Sequence, residues 1–244
     1  SNRQKQYLQQ QKIQSLEQEQ EIRELKAVMA GEEKERTRLA RELHDGIGGM
    51  VAAIKMNFSS LRKRYAPVTT LGTEPEQNNG FTKIMDLINT TGNEIRETAH
   101  NLMPDILTRH GLVEALNLYA AKINSGNNVY IKLQADDQIN NIPQNIQLSL
   151  YRIIQELVQN IIKHASASIA LIHISTKPDG VVHILIRDNG KGFDTDAIAE
   201  GIGLQNVRSR IKILHGTLSV ASAPGEGVTV EIRININNLK DIPV

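Results

Sequence analysis

The sequence predicts two domains of different class: a long helical hairpin that pairs with a second copy into a four-helix bundle, then an α+β sandwich. Three observations predict it. In the first hundred positions apolar residues recur at spacings of three and four, the pattern of a coiled-coil seam. A polar loop rich in proline and glycine divides that helical text into two arms, as a hairpin requires. From about Gly111 the text changes to β-branched, alternating runs bounded by Gly or Pro and interleaved with helical stripes, which is the mark of helices packed on a sheet.

Composition narrows the function classes. The chain has 244 residues, 40% hydrophobic, enough for one or two globular domains. Lys and Arg number 28 against 27 Asp and Glu, a net charge of +1, so electrostatics gives no reason to expect nucleic acid or an anionic membrane as the main partner. There are no cysteines, which excludes disulfides and thiolate metal sites. No apolar run approaches the roughly 18 residues that a membrane span needs. Ser1 and Asn2 read as a cloning remnant on a piece excised from a larger protein.

The first element runs from Gln4 to about Leu61. Ile22, Leu25, Met29, Leu39, Leu43 and Met50 share one heptad register, interrupted by Glu32, Arg36 and Gly46. Farther on, Ile47, Met50, Ile54, Phe58 and Leu61 form a fuller stripe. The loop "RYAPVTTLGTEPEQNNG", with Pro67, Gly72, Pro75 and Gly80, ends this helix. Phe81, Ile84, Leu87, Ile88, Thr91, Ile95 and Leu102 then carry the second arm until Pro104. The N-terminal heptads favour a dimer of hairpins over one hairpin packed on the rest of the chain.

Within the first arm, "RELHDGIGGM" sets His44 and Asp45 before Gly46, Gly48 and Gly49. Each helix-interior glycine costs about 1 kcal/mol relative to alanine, so something other than helix stability selects them. His44 stands one residue past the seam position Leu43, on the flank of the bundle. A neutral imidazole can attack with one ring nitrogen while a neighbour takes the proton from the other, and Asp45 is that neighbour.

The second domain opens with a helix, "GLVEALNLYAAKI", and a strand, "NVYIKL". A helix from about Ile146 to His164 buries Leu150, Ile153, Ile154, Leu157, Val158 and Ile161 on one face. Glu156, Asn160, Lys163 and His164 share another side, which by itself reads as a solvated face as readily as a ligand site. "SIALIHIST", "VVHILIRD", "GTLSVASAP" and "GVTVEIRININ" read as strands, with the helix "LQNVRSRIKILH" among them. Asp188 closes one strand ahead of Gly190 and Gly192; Gly201 and Gly203 precede a helix, where free N–H groups favour phosphate. Gly225 and Gly227 open the final strand.

In this order, the glycine boxes resemble those of the ATPase superfamily shared by gyrase, heat-shock protein ninety, histidine kinases and MutL, over roughly residues 146 to 235. The resemblance implies a Bergerat-type ATP-binding fold. It implies that Asn160 holds Mg²⁺ on the phosphates of ATP, that Asp188 accepts the adenine amino group, and that Gly201 and Gly203 let a lid reach the phosphates. Glu156, Lys163, His164, Gly190, Gly192, Leu204, Gly225, Gly227 and Thr229 complete the implied site. Only about eight residues, Asp194 to Gly201, separate the second box from the third, so the lid is short.

"ELHDGIGG" together with "LMPDILTRHGLVEAL" resembles the histidine-kinase subfamily typified by the nitrate sensors and the membrane-fluidity thermosensor of bacilli, across residues 39 to 235. That resemblance implies phosphorylation of His44 with Asp45 as its acid/base, transfer to an aspartate of a response regulator's receiver domain, and a homodimer. It divides the chain into a signalling coiled-coil helix (1–36), a dimerisation and phosphotransfer hairpin (37–110) and a catalytic ATP-binding domain (111–244). It also implies the cytoplasmic portion of a membrane-anchored bacterial sensor, meeting the membrane only through an upstream segment, with no nucleic-acid partner. Two departures stand out. Val228 occupies a position where the family usually has Thr, with Thr229 following; and position 49 is Gly where members that dephosphorylate their regulator carry Gln.

Overall fold

The computed structural model describes residues 2–65, 76–103, 105–126, 128–194 and 201–239. They divide into two compact units, one of residues 29–105 and one joining residues 1–28 with 106–244.

Helix α1 (Asn2–Arg41) passes into a wide π-type turn (Glu42–Ile47), and α2 (Gly48–Tyr65) continues from it. The helix therefore accommodates its glycines by widening rather than by breaking. Helix α3 (Glu76–Leu102) forms the second arm of the hairpin. The loop residues Pro67, Gly72 and Pro75, and Pro104 beyond α3, lie outside the described residues. The stretch expected to be loop as far as Gly80 is helical from Glu76. Nothing after Pro75 blocks helical hydrogen bonding, and Gly80 alone costs only about 1 kcal/mol.

Gly92 brings the arms together, since a Cβ there would lie 3.3 Å from Val51 Cγ1. Phe58 and Phe81 meet at a ring-centroid distance of 5.2 Å. Leu39, Ile47, Met50 and Ile54 on one arm, and Ile84 and Leu87 on the other, remain exposed in the single chain. The charged interruption of the heptads is neutralised within the helix, because Arg36 Nη2 reaches Glu32 Oε1 at 2.7 Å one turn away.

In the other unit, α4 (Asp105–Gly126) is kinked at Gly111, with φ 84° and ψ 179°. This left-handed φ suits glycine, and a Cβ would fall 2.6 Å from Asn140 Oδ1. The helix start beyond the kink needs acceptors for its free N–H groups. Gln147 Oε1 accepts the Leu112 N–H at 2.9 Å, and Asn140 Oδ1 accepts that of Val113 at 3.1 Å. The Gln147 amide nitrogen donates to the carbonyls of Asn140 (3.0 Å) and Ile142 (2.9 Å). One buried side chain thus ties a helix end to the segment before the next helix.

Strand β1 (Tyr130–Ala135) leads to α5 (Gln144–Asn160), which ends in a second π-type turn (Ile161–Ala165). Then come β2 (Ile169–Thr176), β3 (Val181–Asp188), α6 (Ile202–Ile213), β4 (Thr217–Ser222) and β5 (Val228–Asn235). The sheet order is β1-β2-β3-β5-β4. β1 and β2 are parallel, because α5 crosses between them, and the other pairs are antiparallel. Ala170, Ile172 and Ile174, Val182, Ile184 and Ile186, and Val230, Ile232 and Ile234 are buried in alternation, so one sheet face carries the core. The six apolar residues expected on the buried face of α5 are all buried.

Gln147→Ala strands the Leu112 N–H and two carbonyls in this core. We expect a loss of about 1–3 kcal/mol, measured by urea unfolding; stability within about 0.5 kcal/mol of the parent, as for a surface change, contradicts the capping role.

Candidate functional site

His44 and Asp45 sit in the π-type turn, with side chains 70% and 78% exposed. His44 Nδ1 lies 3.0 Å from Asp45 Oδ1. An ionised carboxylate can only accept, so in a neutral imidazole this bond puts the proton on Nδ1 and leaves the Nε2 lone pair free. One turn earlier Arg38 binds Glu35 at 2.6 Å and also Glu42, the first residue of the turn. The guanidinium holds the Glu35 carboxyl below its usual range. A Cβ on Gly46 or Gly49 would meet nothing within 4 Å, and one on Gly48 only Leu43 O at an ordinary 3.5 Å. Among the described residues, no packing demands these glycines.

The second site is a cavity of about 600 Å³ between α5, α6 and the sheet. Its floor is the buried face of β3, β4 and β5, where Ile186, Val220, Val228 and Val230 line it. Asp188, 4% exposed, ends β3 at this floor. Its Oδ1 accepts the Gly190 N–H at 2.8 Å. Of the residues expected at the site, Asn160, His164, Asp188, Gly192, Gly201, Gly203 and Leu204 line the cavity.

The remaining glycines work by close approach. A Cβ on Gly190 would fall 2.4 Å from Ala165 O, one on Gly192 2.0 Å from Ala223 O, and one on Gly227 2.1 Å from Asp188 O. Three turns stack backbone to backbone around Asp188. Ser222 Oγ, which accepts the Phe193 N–H and donates to Gly227 O, each at 2.9 Å, closes the stack. Gly225 has φ 83° and open space beyond it, so it serves the turn itself. The N-cap residue of α6, Gly201, brings no side-chain cap, and Gly201 to Leu204 all line the cavity, which puts this end of the helix at its wall. Gly203 also lets α6 approach α5: a Cβ would lie 2.3 Å from Glu156 Oε1 and 3.3 Å from the Asn160 amide.

Besides Gly190, Gly225 and Gly227, three expected residues stand apart from the lining. Glu156 supports Gly203 rather than facing the cavity. Lys163 is exposed on the π-type turn and outside the lining. Thr229 is turned away, because strand alternation gives the cavity face to Val228 and Val230. The expected lid, residues 195–200, lies outside the described residues.

Sequence reasoning missed Lys191, Phe193, Arg208 and Val228, which also line the cavity. Their signals were present. Lys191 and Phe193 flank the second glycine of "DNGKGF", Arg208 stands one turn past Leu204, and alternation from Gly227 points Val228 to the floor.

Two family models match the chain. One, described as "Histidine kinase", covers residues 35–107. The other, described as "Histidine kinase-, DNA gyrase B-, and HSP90-like ATPase", covers residues 145–238. Among curated relatives, the signal transduction histidine-protein kinase/phosphatase DegS of Brevibacillus brevis is 27% identical, over 86% of this chain and 53% of that protein. The sensor histidine kinase ComP of Bacillus subtilis is 30% identical over 86% of this chain and 28% of its own length. The sensor protein VraS of Staphylococcus aureus is 28% identical over 84% and 56%. The chain thus spans little more than half, or less, of the relatives it matches.

Gly203→Val places side-chain atoms where the Glu156 carboxylate now lies. Overpacking of this kind costs about 1–3 kcal/mol, so ATP should bind roughly tenfold more weakly in calorimetric titration with the α5 helicity intact; unchanged affinity would show that the contact is dispensable.

Proposed function

The chain belongs to the histidine kinases, and on that premise we propose that it is the kinase core of a two-component sensor: it phosphorylates His44 from ATP and passes the phosphoryl group to an aspartate of a response regulator. The observation that carries this reading is the hydrogen bond from His44 Nδ1–H to Asp45, which leaves Nε2 free on an exposed turn. In the step proposed, Nε2 attacks the γ-phosphorus, the bond from that phosphorus to the β-phosphate oxygen breaks, and ADP leaves. The Nδ1 proton passes to the Asp45 carboxylate. In the second transfer a receiver carboxylate displaces the imidazole; a P–O bond replaces P–N, and His44 recovers its proton.

The cavity fits a nucleotide by its chemistry. Its buried carboxylate, Asp188, is an acceptor suited to an exocyclic amine, and the N-terminal end of α6 suits phosphate. Asn160 is the oxygen donor proposed for Mg²⁺, which when bound neutralises phosphate charge. The cation proposed is held by that one amide, phosphates and waters. His164, Gly192 and Leu204 complete the proposed contacts, with Lys163 held in reserve on its exposed turn.

We assign residues 1–36 to a signalling helix, 37–110 to the dimerisation and phosphotransfer hairpin and 111–244 to catalysis. The exposed apolar residues of both hairpin arms support pairing with a second copy as a four-helix bundle. The open space around Gly46 and Gly49 leaves room for the catalytic domain or a regulator to approach His44. No described helix is long and apolar enough to cross a membrane; the location proposed, from the family alone, is the cytoplasmic portion of a sensor anchored elsewhere.

Incubation with γ-labelled ATP tests the kinase reading. Acid-labile, alkali-stable label should appear on the parent and vanish in His44→Gln, which keeps its ATP affinity, whereas Asp188→Asn, which puts a donor in place of an acceptor, should weaken binding about tenfold or more. Label persisting in His44→Gln would overturn the site, and nucleotide binding with no label would favour a non-catalytic scaffold.

Hydrolysing an aspartyl phosphate needs an aligned water, which a side-chain amide at position 49 would orient and glycine cannot. We therefore propose weak phosphatase activity. Gly49→Gln, in a His44→Gln background with ADP present, should speed loss of phosphate from purified phospho-regulator several-fold; it should not lower helix stability, since glutamine is the better helix former and nothing lies within 4 Å. Rapid loss with Gly49 intact means that another group positions the water.

A further inference from the structure

We infer that the C-terminal turn of α6 is a docking surface for the signalling helix, and that this contact restrains the catalytic domain between its visits to His44; the regulatory part rests on the kinase reading above and deepens it. Lys212 Nζ lies 2.5 Å from Glu21 Oε2, joining α6 to a point on α1 far earlier in the chain. The acids beside Glu21 are answered within their own helix: Glu19 binds Arg23 at 3.2 Å, and Glu24 accepts from the Gln20 amide at 2.9 Å. Glu21 reaches off the helix instead. From Arg3 to Gln20 every residue of α1 is exposed, whereas Ile22, Leu25 and Lys26, next to the pair, are half-buried. Residues 1–28 accordingly group with 106–244 and not with the hairpin. Charge suits the match. Helix α6 carries Arg208, Arg210 and Lys212 and no acid, and the last turn of a helix favours a cation. The stretch of α1 around Glu21 offers Glu17, Glu19, Glu21 and Glu24 against Arg23 and Lys26.

Such a contact has a task in a two-step transfer. Nε2 of His44 receives a phosphoryl group from the nucleotide-bearing domain and gives it to a receiver, and two partners cannot occupy one imidazole together. The catalytic domain therefore needs a second resting place. Glu21 precedes His44 by 23 residues, about 35 Å of helix at 1.5 Å per residue, so a tie at Glu21 is well removed from the imidazole. It engages one end of α6 while the other end lines the cavity, and Lys212 is outside that lining. The tie thus restrains the domain without touching the nucleotide. With side chains 43% and 55% exposed, the ion pair shifts the equilibrium by no more than about fivefold, weak enough to open in every cycle. Movement of the signalling helix changes how long it stays closed.

The initial rate of labelling from γ-labelled ATP, measured on the whole chain, compares the parent with Lys212→Glu, Glu21→Lys and the double variant. Each single reversal sets like charges together and should raise the rate about threefold, with ATP affinity by calorimetry unchanged. The double variant restores the pair with its signs exchanged and should return to the parent's rate. A zero-length carbodiimide, which joins a carboxylate to an amine in contact with loss of water, should link Glu21 to Lys212 in the parent and not in the single variants, as read by mass spectrometry. An unchanged or lower rate in both single variants, a double variant that keeps their raised rate, or an absent link in the parent overturns the inference while leaving the kinase reading intact. Absence of label from every variant despite bound ATP overturns the kinase reading, and the regulatory role with it, whether or not the link forms.

Discussion

Everything at the second site depends on keeping one carboxylate buried at the end of a strand. A buried charge is tolerated only when its surroundings hydrogen-bond it, and at Asp188 those surroundings are backbone. The Gly190 N–H binds Oδ1 directly. For that N–H to reach, the chain must turn at once after the strand, against Ala165 O on one side, while the next turn sits on Asp188 O through Gly227. Asn189 fixes the same exit from outside: its Oδ1 accepts the N–H groups of Ser168 and Ile169 at 3.0 and 2.9 Å, and its amide donates to Ser168 Oγ. The "DNG" tripeptide is a hydrogen-bonded corner in which each residue has a separate task. Glycines that look like ligand contacts in the sequence are here the means of packing three turns around a carboxylate.

Both helices that carry proposed site residues widen beside them. The π-type turn at Glu42–Ile47 holds His44, and that at Ile161–Ala165 comes directly after Asn160 and holds His164. A π turn inserts a residue and rotates the next stretch of helix relative to the preceding register, and it recurs at functional sites for that reason. At the first turn, the stripe of α1 can stay on its seam while His44 and Asp45 face outward. At the second, His164 reaches the cavity although Lys163, its neighbour, stays outside. The weak hydrogen bonding of such turns is supported from the side, by Arg38 bridging Glu35 and Glu42 in one case and by the contact of Ala165 O with the Lys191 N–H at 2.8 Å in the other.

The features legible in the sequence are those written in period and order. The stripe of α5, the five alternating strands, the two arms of the hairpin and the succession of glycine boxes are all one-dimensional patterns, and each appears in the fold. The features that stayed hidden depend on contacts between residues distant in the chain. Nothing near Gln147 announces that its amide caps a helix beginning 35 residues earlier. The kink at Gly111 needed Asn140 to give it meaning. Val228 and Thr229 could be told apart only once the register with Asp188 and Ser222 was fixed, since a slip of one residue exchanges the two faces of a strand. Widening of a helix at "ELHDGI" leaves no periodic mark, because so short a segment cannot shift a stripe visibly.

The glycines beside His44 illustrate how a structural absence becomes a functional statement. A glycine required by internal packing has a neighbour that a Cβ would strike, as Gly92, Gly203 and Gly227 each do. Gly46 and Gly49 have none. Their cost in helix stability, about 1 kcal/mol each, is therefore not offset by packing against any described residue of the chain. Under the proposed function the compensation lies in encounters the isolated chain does not make: a nucleotide-bearing domain, and then a receiver, must each bring a phosphorus atom to Nε2 of the same imidazole. A surface trimmed to backbone on the side of the reactive residue admits both partners in turn, and a glycine turn bordered by a π turn can adjust to each. The same trimming removes the position from which an amide could steer water to the phosphorylated regulator, so the proposed ease of approach and the proposed weakness of hydrolysis share one physical cause.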